Sequence, residues 1–465
     1  MIVRRAIGLC IALLLLAQGA AAREVKLPNH ERLLLPNGTV LVLSEKHDVP
    51  LIGLEAVVRG GAITDPEGLN GLSSLLAELM QHGAGERDAA AFAEAIESVG
   101  GELTASAGLE TMRISADFMS RDAQLMIELV ADMLQRPALD EKEMIKLRDR
   151  SINLIKAAKG GNPGDLLPDY GNAFLFGAHP YGNPVAGSES TLATISHEDL
   201  LRYYNDFVGG DRLIISVVGD FNMAAMKASL TAEFGAWRAA TAEHPTVPVA
   251  SKNTGRRVLL IDKPGATQTY FWIGNVGVAI DYPNRAPLDL ANTVFGGRFT
   301  SMLNTELRVK AGLTYGARSL LQRPSQPGTV IISSFTETGK TVDAIDMALD
   351  VLGRLKRSGV RDEAAESARN YIMGQFPPRL ETAPQIAAQF AMLDQYGLDA
   401  AYINEYGAAL EAASEDAIAA AIEEVYPSAE NVSFVLIGDA ASIREAVSQY
   451  GPITEMSIDE PRFRK

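Results

Sequence analysis

The chain is written twice, and that constrains its fold more than anything else in it. Residues 38–68, "GTVLVLSEKHDVPLIGLEAVVRGGAITDPEG", run from an apolar strand through a charged turn into a second strand. Residues 256–285, "RRVLLIDKPGATQTYFWIGNVGVAIDYPNR", repeat that plan. The ends match as well. "DRLIISVVGDFNMAAMKASLTAEFGAW" and "ENVSFVLIGDAASIREAVSQYGPI" each place a buried-type strand, then Gly-Asp, then a helix. Asp220 and Asp439 lie 219 residues apart, and Val40 and Val258 lie 218 apart. Nearly the same offset at both ends implies a duplicated unit of about that length.

Strands come in adjacent pairs at the ends of each unit, and amphipathic helices fill its middle. The pattern predicts an α+β fold of two similar tandem domains, each a mainly antiparallel sheet packed with helices. The expected boundaries are 25–237 for the first domain and 256–465 for the second. Residues 238–255, "RAATAEHPTVPVASKNTG", carry prolines and small residues without apolar periodicity and are expected to link them. With 47% hydrophobic and 22% charged residues, the chain has ample material for two cores. Gly219-Asp220 lacks the glycine spacing of a nucleotide loop and reads as a strand-to-helix turn.

Residues 1–22 have the plan of a secretory signal. Arg4 and Arg5 precede the apolar "AIGLCIALLLLAQGA", and Ala20, Ala21 and Ala22 supply a cleavage site. An uncleaved anchor is the rival, but the apolar run is short for a span. The expectation is an exported, periplasmic chain with no membrane attachment after cleavage. Cys10, the single cysteine, lies inside this segment, so the mature chain has neither thiol chemistry nor a disulfide. The net charge of -16 and the absence of any basic run exclude the phosphate neutralisation that nucleic acid requires. The acidity serves solubility, or favours basic peptides.

The stretch "GLSSLLAELMQHGAG", residues 71–85, reads as a helix. Leu72, Leu75, Leu76, Leu79 and Met80 share one face. Ser73, Ser74, Ala77, Glu78 and Gln81 fall on the other, and Gly83 suits a left-handed end. Together with its flanks it resembles the metal-site helix of the insulinase, pitrilysin and mitochondrial processing peptidase family. There the inverted motif His-x-x-Glu-His binds zinc through two histidines and activates water through the glutamate, while a glutamate on a later helix completes the shell. Aligned on Gly71 and Gly83, this chain has Ser74 and Glu78 at the histidine positions and Ala77 at the glutamate position. The neighbourhood of the later ligand, "SINLIKAAKGGNPG", has no Asp or Glu. The resemblance therefore implies no metal site in this chain. Glu78 and His82, one turn apart, are the remaining ligand types, and a helix-end histidine complementing the dipole is the competing account. His179, in "HPYGNPVAG", resembles a structural loop of the family.

"FGGRFTSMLNTELRVKAGLTYGARS" resembles the family's second domain, where an arginine and a tyrosine seven residues on contact substrate. The matching residues are Arg308 and Tyr315. Leu303 and Leu307 would turn inward on a short helix, Gly312 would break it, and a strand would begin in "LTYGARSLL". Arg308 and Tyr315 are suitable donors to a developing oxyanion or to substrate carbonyls. They equally suit a helix-dipole partner and a rim aromatic. Gly296 and Gly297 match a glycine-rich loop that in the family shapes the cavity. The resemblance implies the zinc-free subunit of a heterodimeric metallopeptidase. Zinc would reside in a homologous partner, peptides would be the substrates, and this chain would be inactive alone. A non-enzymatic peptide-binding or scaffold protein of the same fold is the alternative.

Overall fold

The computed structural model describes residues 26–465. The expected signal segment and Cys10 lie outside them. The chain is α+β, built on two six-stranded sheets. The first sheet contains β1 (Glu31–Leu34), β2 (Val40–Glu45) and β3 (Leu51–Arg59). A two-stranded hairpin follows, β4 (Gly83–Ala84) and β5 (Arg87–Asp88). Then come β6 (Glu102–Ala107), β7 (Thr111–Met119) and β8 (Leu213–Gly219), giving the sheet order β1-β2-β8-β3-β7-β6. The second sheet contains β9 (Arg257–Asp262), β10 (Gln268–Val276), β11 (Ala317–Gln322), β12 (Thr329–Glu337), β13 (Ser433–Gly438) and β14 (Ile453–Ser457), in the order β11-β12-β10-β13-β9-β14.

Read from opposite ends, five strands of the two sheets correspond: β2, β8, β3, β7, β6 with β9, β13, β10, β12, β11. The returning strand pairs parallel to the opening strand in both, with Val40 opposite Ile214 and Val258 opposite Phe434. The sixth strands differ in origin. β1 pairs antiparallel to β2 from the chain's start, whereas β14 pairs parallel to β9 from its end. Every residue of β8 and β13 is buried, as fits strands covered on both faces.

What covers those faces crosses between the halves. One face of the first sheet packs on its own helices through Leu41, Leu43, Leu54, Ala56 and Ile114. Its other face, through Val40, Val42, Val57, Ile214 and Val218, packs on Ile386, Ala387 and Phe390 of the helix Ala383–Tyr396, from the second half. A Cβ at Gly53 in β3 would collide with the Pro384 backbone, so the approach is as close as glycine allows. Reciprocally, the helix Leu167–Phe176 of the first half lies on β10 and β13, with Gly171 against the Trp272 ring. Each half thus covers the other's sheet.

Further contacts bind the halves. Glu110, in the β6–β7 turn, accepts from the Tyr181 hydroxyl at 2.6 Å and through Oε2 from the Ser325 amide at 2.9 Å; the Ser325 hydroxyl also donates to it. Tyr181 Oη in turn accepts from the Gln326 amide at 2.9 Å. The turns of the β6–β7 and β11–β12 hairpins are therefore joined through one buried carboxylate. His179 Nδ1 accepts from the Tyr181 amide, and its Nε2 donates to the Pro248 carbonyl at 2.8 Å, tying residues 238–255 to the first half. The end of the chain returns too, with Phe463 edge-on to Tyr170 at 4.9 Å.

The two Gly-Asp turns have diverged. Asn222, not Asp220, caps the helix Met223–Phe234. Asp220 instead accepts from His47 Nδ1 at 2.6 Å and from Ser120 Oγ at 3.2 Å. This holds the exposed imidazole's pKa above its ordinary value, chiefly through that hydrogen bond. Asp439 stands at the N-cap position of the helix Ala440–Val447 without a side-chain cap bond, and accepts instead from the Gly265 amide at 3.0 Å.

Candidate functional site

The helix Leu72–Leu79 begins at Gly71, whose φ of 94° is left-handed. It has no capping side chain of its own there. The cap comes from the preceding loop: Asp65 accepts from the Gly71 amide at 2.8 Å and the Ser73 amide at 2.9 Å. Asp65 is buried, and burial pushes its carboxyl up to about 7, against the pull of those amide donors. Leu72, Leu75, Leu76, Leu79 and Met80 are all in the core. The other face is less polar in its setting than the sequence pattern predicts. Ser73 and Ala77 are also fully buried, at 0% exposure, because neighbouring elements enclose the helix on both sides. The helix ends at Leu79, and Gly83, with φ of 108°, opens the β4–β5 hairpin.

Ser74 and Glu78 are half-buried. Glu78 Oε1 pairs with Arg150 Nη1 at 3.3 Å. Arg150 lies on the helix Glu141–Gly160, on the same stretch of chain where the family resemblance seeks its later ligand. A guanidinium therefore meets the one carboxylate among the aligned positions. His82 is not directed at Glu78; its Nδ1 lies 3.9 Å from Glu143 Oε2. Among the described residues, no group of three or more His, Cys, Asp and Glu side chains is placed to hold a metal ion. A serine, a buried alanine and a carboxylate tied to an arginine do not fit zinc, which needs three protein donors at a catalytic site. Gln81 reaches the edge strand instead, donating to the Ala105 carbonyl at 2.9 Å.

In the second half, Thr293–Gly297 and Asn304–Lys310 are π-helical, and the Ala311 amide donates to the Glu306 carbonyl five residues back. Such widened turns recur at functional sites. Leu303 and Leu307 are fully buried. Gly296 is buried against β11, where a Cβ would collide with the Ser319 backbone, so its role is close packing. Gly297 is exposed beside it. The Arg308 guanidinium lies 4.7 Å from the centroid of the Phe299 ring, which is itself exposed. Tyr315 is 80% exposed. The strand expected at "LTYGARSLL" begins only at Ala317, so Tyr315 stands on the loop after Gly312, whose φ is 61°. No hydrogen bond joins Arg308 to Tyr315; they flank one exposed loop, and neither side chain hydrogen-bonds another described residue.

Sequence reasoning passed over Arg150, Asp65 and Glu110. Each acts on a partner far along the chain or in a loop, and none stands in a motif.

The insulinase (peptidase family M16) model matches residues 40–189, and the peptidase M16 inactive domain model matches 194–372. The chain is 24% identical over 352 residues to an uncharacterised zinc protease of Bacillus subtilis, covering 74% of this chain and 83% of that protein. It is 27% identical over 350 residues to one of Mycobacterium leprae, covering 74% and 77%. Its fold is similar to the peptidase M16 inactive domain of Pseudomonas fluorescens, with TM-score 0.81, 19% identity, and coverage of 88% of this chain and 98% of that one. A protease from Helicobacter pylori is similar at TM-score 0.80 and 18% identity, covering 89% and 100%. The two models adjoin along the chain and name one family, and the duplicated sheets have that family's architecture: this chain belongs to the insulinase family of peptidases, peptidase family M16.

Proposed function

We propose that the chain is the zinc-free subunit of an exported heterodimeric metallopeptidase. The observation that carries this reading is the contrast between the halves. The metal-site helix is built and packed but holds Ser74, a buried Ala77 and an arginine-bound Glu78. Arg308 and Tyr315 flank an exposed loop with donors unspent. A zinc-bearing homologous partner would supply hydroxide and general base. Arg308 and Tyr315 would donate to the substrate's carbonyls and to the oxyanion, where such donors contribute about 3 kcal/mol. Extended peptides would be the substrates, adding to a sheet edge. The expected signal segment supports export; among the described residues, no helix is long and apolar enough to cross a membrane.

The stacking of Arg308 on Phe299 favours a second reading, a peptide-binding or scaffold protein without catalysis. Co-purification with the partner and a peptide cleavage assay separate the two. The first reading expects cleavage only by the complex, with large losses in Tyr315→Phe and Arg308→Ala. Full activity of the partner alone, or no loss in those variants, would sink it.

A further inference from the structure

One face of the second sheet carries an arginine without a partner. β11 pairs with β12 so that Arg318 lies opposite Ser333, and β12 pairs with β10 so that Ser333 lies opposite Trp272. In the next row Phe335 lies opposite Tyr270. Side chains alternate along strands, so Arg318, Trp272, Tyr270 and Phe335 share one face. The helix Leu167–Phe176 covers Trp272 completely. It stops short of the outer strands, leaving Arg318 exposed and Tyr270 and Phe335 half-exposed.

A cavity of about 440 Å³ remains there. The Tyr270 and Phe335 rings, 5.6 Å apart, form an apolar wall, and Arg318 stands beside them. Arg318 makes no hydrogen bond or ion pair with another described residue, in a chain whose net charge is -16. Asp165 also lines the cavity; it accepts from Asn162 Nδ2 at 2.9 Å and makes no ion pair with Arg318. β11 is the outermost strand, but its outward backbone is already met by the preceding segment: the Ala317 amide donates to Asn304 Oδ1 at 2.9 Å, the Ser319 carbonyl accepts from Asn292 Nδ2 at 3.4 Å, and Gly296 packs on the Ser319 backbone, so a ligand here is held by side chains. Gly316, which precedes it, lines the same cavity one residue from Tyr315.

We propose that this cavity binds a peptide segment in which a carboxylate stands beside an aromatic side chain. The carboxylate pairs with Arg318, and the ring rests on Tyr270 and Phe335. Asp165, in the same lining, disfavours a carboxylate beside it, so the acidic group is held at Arg318. This deepens the peptide-handling reading of the Tyr315 loop and rests on it. A charge-assisted bidentate arginine contact is the strongest polar term available there, and the carboxylate can come from an acidic side chain or from the peptide's own terminus.

The test is fluorescence anisotropy on the full chain without its partner, using three labelled hexapeptides. One has adjacent Phe and Glu and an amidated end. The second replaces Glu with Gln. The third is the Gln peptide with a free terminal carboxylate next to Phe. At least one carboxylate peptide is expected to bind about tenfold more tightly than the neutral one, and the two arms show which source is preferred. Arg318→Ala should remove the preference, Arg318→Lys should keep part of it, and Tyr270→Ala should weaken all three. Equal binding of all three peptides to the unmodified chain, or an unchanged preference in a folded Arg318→Ala, overturns the proposal. Because the readout is binding to this chain alone, failure of partner-dependent cleavage leaves this result standing.

Discussion

Arg150 reaches across from one helix to another to meet Glu78, Nη1 to Oε1 at 3.3 Å, where the family resemblance places a zinc ligand. The pair lies partly in solvent, Arg150 at 67% and Glu78 at 35% side-chain exposure. Solvent screening limits its strength, so Arg150→Ala should change stability by less than about 1 kcal/mol. Ala77 behaves differently because no space remains around it. Ala77→Glu should destabilise by about 3 kcal/mol through overpacking and a carboxylate buried without a partner. Urea unfolding of both variants checks the contrast. An Ala77→Glu chain as stable as its parent would show that the catalytic-base position is still open.

Glu110 joins the two hairpin turns and should be a mechanical tie. Glu110→Ala leaves the Tyr181 hydroxyl and the Ser325 amide without their acceptor, at a cost of about 2 kcal/mol. The expected readouts are a lower unfolding midpoint and faster proteolysis within residues 238–255, which His179 holds beside this network. A lowered midpoint with unchanged cleavage of that segment would show that the tie does not hold it.

Asp65 gives a pH signature with a definite sign. Its folded pKa of about 7 lies above the 3.8 of an ordinary aspartate. Between those values the native chain keeps a proton that the unfolded chain releases. Asp65's contribution to stability is therefore complete below about pH 4 and is lost as pH rises through about 7. Asp65→Asn should flatten the stability profile across that window, measured by urea unfolding from pH 4.5 to 8. A variant with the parent's slope would assign the pH dependence elsewhere.

Phe390 belongs to the second half in sequence but to the first sheet's core. Phe390→Ala should cost about 3–5 kcal/mol. Hydrogen exchange should rise first in β2, β3 and β8, not in β9 to β14. The opposite distribution would contradict the exchange of helices.

Much of this architecture is legible in the sequence because it is local. The matching strands, the Gly-Asp turns and the leucines of the 72–79 helix are written in consecutive residues, and the sheets follow the repeat. The rest is non-local. Periodicity shows that the helices at 167–176 and 383–396 have apolar faces, but not which sheet each one covers. The burial of Ser73 and Ala77 depends on elements that close over the helix, and the Arg150–Glu78 pair spans 72 residues. Tyr315 missed its expected strand because the π-helical turn and Gly312 lengthen the loop before Ala317. Arg308 and Tyr315 were found only through resemblance, since neither makes a contact that local pattern encodes.

The helix exchange also bears on how such a chain can be divided. Separating the pieces on either side of residues 238–255 would leave each with a greasy sheet face laid open, because the helix that keeps it dry would go with the other piece. Neither piece would be a soluble domain in its own right. The two halves are thus interlocked partners inside one polypeptide, and a protease that nicks residues 238–255 would leave them clasped together.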